Sequence, residues 1–249
     1  MKIQELCDAL TARYPARLAA DYDNIGLLVG DGEKEITAAV VSLDVTPEAI
    51  ALAEKTGADL IVTHHPVIFG GLKTVTPGSA VWDLVTRGIA AVAMHTNLDA
   101  AEGGVNDILC ETIGLCEVTG LCPVADGFSL RRGVLPASMD AASFAKALKK
   151  ALGGTVSYTD GGKPICTVAV CSGAGGDFLG DALAAGADAL VTADVKHHLY
   201  GEARRAGISL FDCGHFETED LIVEPLADTV RALTGVSVAT CHASGIVRI

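Results

Sequence analysis

Apolar side chains at Ile3, Leu6 and Leu10 recur at helical spacing and predict an amphipathic helix over residues 2–12. A turn-rich stretch follows and leads, from Asp21 to Gly30, into a loop and a short strand closed by glycine. Ala38-Ala39-Val40-Val41-Ser42-Leu43 reads as a second strand. Thr46 then stands as an N-cap with Pro47 at the first helical position, and Gly57 ends that helix. The run Leu60-Ile61-Val62-Thr63 is apolar at successive positions rather than alternating, the pattern of a strand covered on both faces in a parallel α/β sheet. It stops at His64-His65-Pro66, where proline cannot donate a ladder hydrogen bond and biases His65 toward an extended conformation. Both imidazoles are therefore expected at the carboxyl end of the strand, the edge where open α/β sheets bind ligands.

Neighbouring side chains on extended backbone diverge, so His64 and His65 suit two ions better than one, although a pair of solvated loop histidines has the same pattern. After them Gly70-Gly71 is compatible with a flexible cover or a plain connecting turn. A helix is expected to include Val81 to Val85, and the strand Ile89 to Met94 ends at His95, with Asp99 four residues on. Residues 109–132 lose periodicity and cluster glycine, proline and cysteine, which places a domain boundary there, with a first domain over 1–125 and a second over 126–249. Ala141 to Leu152 is helical by period. Thr167 to Cys171 is a strand running into Ser172-Gly173-Ala174-Gly175-Gly176-Asp177, a turn that suits either a phosphate cradle or a tight strand-to-helix connection.

The second half echoes the first. Gly57-Ala58-Asp59-Leu60-Ile61-Val62-Thr63 is answered by Gly186-Ala187-Asp188-Ala189-Leu190-Val191-Thr192. His64-His65 follows the first copy, and the second is followed by a segment ending at His197-His198. Gly88-Ile89 opens the strand that reaches His95 and Asp99, and Gly207-Ile208 opens the one that reaches His215 and Glu219. Both copies give histidine, three residues, carboxylate, and a helix beginning there places positions i and i+4 on one face. Of the seven histidines only His242 lies clear of these segments. Two duplicated α/β halves, each delivering ligands from strand ends, would bring the two sets together in a cleft between them. The donor types suit Zn, Fe, Mn, Ni or Co better than Ca or Mg.

Composition narrows the function classes. The formal charge of −13 argues against a nucleic-acid backbone or an anionic membrane as partner. A hydrophobic content of 50% with 4% aromatics fits closely packed helix-on-sheet layers. The first residues lack a signal-peptide core and no apolar run is long enough to cross a bilayer, so a soluble cytoplasmic protein is expected. There is no Cys-x-x-Cys pair among the eight cysteines, which suit small buried hydrophobes better than a disulfide set.

Asp23-Asn24-Ile25-Gly26-Leu27-Leu28-Val29-Gly30, Thr63-His64-His65-Pro66, His95-Thr96-Asn97-Leu98-Asp99 with Gly103-Gly104-Val105-Asn106-Asp107, the Thr192 to His198 segment, and Gly214-His215 with Glu219 together resemble the Nif-three-like family. Its members are also called dinuclear-metal-centre hexameric proteins or type 2 GTP cyclohydrolase I homologues. The resemblance covers nearly the whole chain. It implies two similar α/β/α domains, two divalent transition-metal ions per chain, and a toroidal homo-hexamer with the metal sites facing an interior cavity. The ligands it implies are His64, His65, Asp99, His215 and Glu219, with Glu219 as the bridge, His65 and Asp99 on one ion, and His64 and His215 on the other. His95 belongs to the motif without being one of those ligands, and it is a candidate to orient Asp99 or contact substrate. His197 and His198 are candidates of the same kind, with packing or capping as the alternative. Tyr22 stands where many members have tryptophan and Cys213 where alanine is usual.

A carboxylate-bridged ion pair is the apparatus of metal-assisted hydrolysis, which makes a hydrolase acting on a small nucleotide-like or heterocyclic substrate the leading expectation. A non-enzymatic metal-handling or regulatory protein is the alternative, and an interaction scaffold a third.

Overall fold

The structure, a computed structural model, describes residues 1–247. In chain order the first elements are α1 (Ile3–Arg13), β1 (Gly26–Val29), β2 (Ala38–Ser42), α2 (Pro47–Thr56), β3 (Leu60–Thr63), α3 (Ala80–Arg87), β4 (Ala90–Ala93), α4 (Thr96–Ala100) and α5 (Val105–Thr112). There follow β5 (Cys116–Val124), β6 (Gly127–Met139), α6 (Ala141–Leu152), β7 (Ser157–Thr159), β8 (Ile165–Val170), α7 (Leu179–Ala184) and β9 (Ala189–Thr192). The last are α8 (His197–Ala206), β10 (Ser209–Asp212), α9 (His215–Glu219), α10 (Val223–Thr234) and β11 (Ser237–Cys241).

Met1–Leu98 and Ile222–Val247 make one compact unit. Its five-stranded sheet runs β1-β4-β3-β2-β11. The N-cap of α2 forms as the sequence predicts, with Thr46 Oγ1 accepting from Ala49 N–H at 3.1 Å and Gly57 closing the helix at φ 69°. All four residues of β3 are buried, which is why the run is apolar without alternation. The parallel register pairs Ser42 with Thr63 and Thr63 with Ala93. Three strands thus end in one row, and Asp44, His64-His65 and His95 leave the sheet from the same edge.

Asp99–Leu221 makes the other unit, with a six-stranded sheet ordered β5-β6-β8-β9-β10-β7. Its parallel centre pairs Val170 with Val191 and Thr192 with Asp212, so these strands also end in a row. One face of the sheet packs on α6 through Phe144, Leu148, Val168 and Phe211, with the Phe144 and Phe211 rings edge to face at 5.1 Å. The other face packs on α7 and α8 through Leu179, Leu190, Ala203 and Leu210.

The α/β class and the internal duplication are both present. The order α1-β1-β2-α2-β3-α3-β4-α4-α5 recurs as α6-β7-β8-α7-β9-α8-β10-α9-α10, and in each copy the strand before the parallel set pairs antiparallel with its last member. The compact units do not divide at residues 125 and 126. Chain passes from one to the other at Leu98 and returns at Ile222, because β11 lies parallel to β2 and so belongs to the first sheet. The stretch 109–132, expected to be irregular, carries β5 and the start of β6, an antiparallel hairpin pairing Leu121 with Leu130. Most of β5 is exposed, so no buried face imposes a two-residue period on its sequence. Among the described residues no helix is long and apolar enough to cross a membrane.

Candidate metal centre

In the first unit β3 runs into a bend. Thr63 Oγ1 donates to the His65 carbonyl at 2.7 Å and His65 N–H donates to Leu43 O at 3.0 Å, so the backbone turns where straight strand would separate the two rings. His64 and His65 consequently lie side by side, with ring centroids 5.0 Å apart and planes tilted by 39°. The divergence expected of an extended pair is absent. His95 joins them at 5.3 Å from His64 and 5.6 Å from His65, and one ring nitrogen from each of the three lies within 4.8 Å of the others.

Each ring is held by its Nδ1. Buried His64 donates to Met94 O at 2.9 Å, and because a carbonyl only accepts, this bond puts the proton on Nδ1 and, in the neutral ring, the lone pair on Nε2. His65 Nδ1 donates to Asp44 Oδ1 at 2.8 Å and His95 Nδ1 to Asp23 Oδ1 at 2.7 Å. Burial pushes the Asp23 carboxyl up, but hydrogen bonds from His95, from the Thr96 hydroxyl and from Asn24 N–H outweigh it and hold the group well below the usual carboxylate range. Asp23 is therefore a permanent anion behind His95.

In the second unit α9 places His215 and Glu219 one turn apart, with His215 Nε2 2.9 Å from Glu219 Oε2. His215 Nδ1 donates to Asp194 Oδ2 at 2.7 Å, repeating the arrangement in the first unit. Glu219 is buried, and a carboxylate oxygen of Asp99 lies within 4.8 Å of one of its own. Asp99 Oδ1 accepts from Ser172 Oγ at 3.1 Å, and Asn106 ties the same segments by donating to Asp99 O and accepting from Ser172 N–H. The glycine-rich turn after β8 is a tight connection that makes room for Glu219. Gly173 sits at φ +56°, where a Cβ would stand 2.1 Å from Glu219 Oε1.

The donor set fits a transition metal. All four of these histidines have Nδ1 engaged and Nε2 presented, three of them on a carboxylate, an arrangement that fixes the tautomer and raises ligand basicity. The His215–Glu219 separation of 2.9 Å is close to that of two atoms sharing an ion at bond lengths of about 2.0–2.2 Å. Imidazole with carboxylate suits Zn, Fe, Mn, Ni or Co.

His64, His65 and His95 lie together in the first unit, and in the second Glu219 has Asp99 on one side and His215 on the other. His197 and His198 open α8 as exposed side chains, and among the described residues neither belongs to a cluster of three metal-binding groups. Cys213 is buried, its thiol pushed up to about 12 by that burial and by the Asp212 and Glu217 charges, so it stays neutral. Asp44 and Asp194 were not among the residues expected at the site, and Asp23 stood there only as part of a motif. The available signal was position, because Asp44 and Asp194 each stand two residues beyond a strand end.

The Duf34/NIF3 (NGG1p interacting factor 3) family matches residues 1–244. A GTP cyclohydrolase 1 type 2 homolog of Clostridium perfringens is 33% identical over 240 residues, covering 93% of this chain and 92% of its own. One from Halobacterium salinarum is 37% identical over 221 residues, covering 84% and 87%. Among solved structures, a Staphylococcus aureus hypothetical protein superposes with a TM-score of 0.93 at 25% identity, covering 100% of this chain and 99% of that one. Reduced HcgD from Methanocaldococcus jannaschii gives 0.82 at 27% identity, covering 96% and 97%.

Proposed function

Because this chain belongs to the Duf34/NIF3 family, matched over residues 1–244, we propose that it is a dinuclear metal-dependent hydrolase acting on a small nucleotide-like or heterocyclic substrate. His65 and Asp99 hold one ion, His64 and His215 the other, and Glu219 bridges them. The observation that carries this reading is the set of anchored histidines, each with Nδ1 committed and Nε2 presented. Side chains so restrained lose little freedom on binding a cation, and the carboxylates behind them offset its charge. The ions would supply Lewis acidity toward a carbonyl or phosphoryl group. His95, beside the ligands and backed by anionic Asp23, is assigned proton transfer to or from the substrate. The name GTP cyclohydrolase 1 type 2 homolog, carried by relatives, is in keeping with a purine-like substrate. A toroidal homo-hexamer, implied by the family motifs, belongs to the same proposal.

One observation favours the metal-handling alternative. The His215 side chain is 30% exposed and its Asp194 anchor 58%, so an ion there is open to exchange with a partner. Metal analysis by mass spectrometry on tag-free protein tests the site. The expected content is about two transition-metal ions per chain, as in two-metal hydrolases, lost or halved in Glu219→Ala. Metal-loaded protein that leaves nucleotides, pterins, amides and phosphoesters intact, yet passes its ions rapidly to an apoprotein, would replace the hydrolase reading with the carrier.

A further inference from the structure

The chain has 11 aromatic residues, Phe 6, Tyr 4 and Trp 1, and the two most exposed stand together beside the histidine cluster. Tyr22 is 72% and Phe69 61% exposed. Their rings meet edge to face, 6.2 Å apart at 71°, and the Phe69 ring is 6.0 Å from His95 and perpendicular to it. Their segments are fastened to each other and to the cluster. Asn24 Nδ2 donates to Ile68 O at 2.7 Å, while neighbouring Asp23 accepts from His95 Nδ1 and Thr96 N–H. Adjoining residues thus tie the segments that carry the two rings to each other and to His95.

We propose that Tyr22 and Phe69 form a stacking site for the planar heteroaromatic ring of a small ligand whose reacting end reaches the histidines, an inference that rests on the metal-dependent reading above. Two rings near a right angle make a corner, in which a flat ring stacks on one wall and meets the other with its edge, the two arrangements aromatic pairs favour. A saturated sugar or an aliphatic chain can lay C–H groups on one wall but has no aromatic ring with which to make both arrangements at once. Exposed aromatics with this contact to a polar cluster suit a ligand that is apolar on its face and polar at its rim, as a heterocycle is. The net charge of −13 argues against a nucleic-acid strand as the source of the ring.

The test is saturation-transfer NMR and titration calorimetry on the full chain loaded with zinc, using guanosine 5′-monophosphate and pterin as probes and ribose 5-phosphate as the ring-free control. Metal content is measured on every sample. Saturation is expected on the ring protons of at least one heterocycle. Phe69→Ala and Tyr22→Ala should each weaken its binding by roughly 5- to 100-fold, the range for losing one stacking aromatic. Tyr22→Phe and Phe69→Tyr should keep it, with ribose 5-phosphate and metal content unchanged throughout. Equal affinity in the alanine variants, or no heterocycle binding to a chain that holds its metal, overturns the stacking site and leaves the metal centre standing. Alanine variants that dissociate an oligomer without changing probe binding also overturn it, because the rings then cover a protein surface. A chain that takes up no metal yet contacts the heterocycle through Tyr22 and Phe69 supports the stacking site and removes the metal reading alone.

Discussion

Gly173→Ala isolates the support of Glu219 from the bridging chemistry proposed for it. The Cβ added at Gly173 would stand 2.1 Å from Glu219 Oε1, 3.1 Å from its Cδ and 3.2 Å from His215 Nε2, at a φ of +56°. Two costs follow. A side chain in left-handed backbone costs about 1–2 kcal/mol. Overpacking against Glu219, which is only 4% exposed and set on a helix, adds about 1–3 kcal/mol. An ordinary carbon–oxygen contact requires the carboxylate to recede by about 1 Å, enough to spoil its alignment with His215 and Asp99. Gly186→Ala is the matched control, since Gly186 has φ +70° but nothing within 4 Å of its added Cβ. Thermal unfolding of chelator-treated protein should show Gly186→Ala lowered by about 2–8 °C and Gly173→Ala by about twice as much. Metal titration should show Gly173→Ala weakened by roughly 10- to 100-fold and Gly186→Ala unchanged. Identical behaviour of the two variants in both assays would refute the argument that the turn is shaped around Glu219.

Asp194→Asn removes the charge behind His215 Nδ1 at an exposed position and keeps a residue type that tolerates the left-handed φ of 51°, so it should leave the melting temperature nearly unchanged while weakening metal binding by roughly 10-fold; competition against a chelator reads this directly. Asp188 accepts from Cys166 N–H and Thr167 N–H and pairs with Lys163 at 3.0 Å; burial raises its pKa, but these partners outweigh it and lower the group from its ordinary 3.8. A carboxyl depressed in the folded state contributes stability that is full above the unfolded pKa and lost as pH falls through the folded one. Unfolding measured from pH 7 down to pH 2 should therefore show Asp188→Asn least stable relative to the native chain at neutral pH, by about 1–3 kcal/mol, with the gap closing below pH 4.

The parallel cores and the histidine-bearing strand ends were legible because burial on both faces leaves a direct mark on sequence: β3 and β9 are buried at every position. The His215 and Glu219 pairing was legible for the same local reason, as one helical turn fixes it. What escaped depends on partners distant in sequence. Nothing in Ser237–Cys241 says that its neighbour is β2, some 200 residues earlier, rather than the adjoining repeat. The Asp44 and Asp194 anchors lie 21 residues from the rings they hold. The side-by-side placement of His64 and His65 accompanies hydrogen bonds from Thr63 Oγ1, from His65 N–H to Leu43 O, and from the rings to Met94 O and Asp44, which propensity alone does not encode.

The parallel pairing of β11 with β2 also has a consequence for synthesis. Residues 99–221 form an uninterrupted unit that can close as soon as it has left the ribosome, whereas the sheet that holds β2 waits for Ser237–Cys241, made after the whole of that unit. The unit of residues 99–221 can therefore mature before the unit that encloses it in sequence. Until β11 has been made, β2 offers an unsatisfied edge with Ala39, Val40 and Val41 along it, a window in which a chaperone has a defined segment to shield.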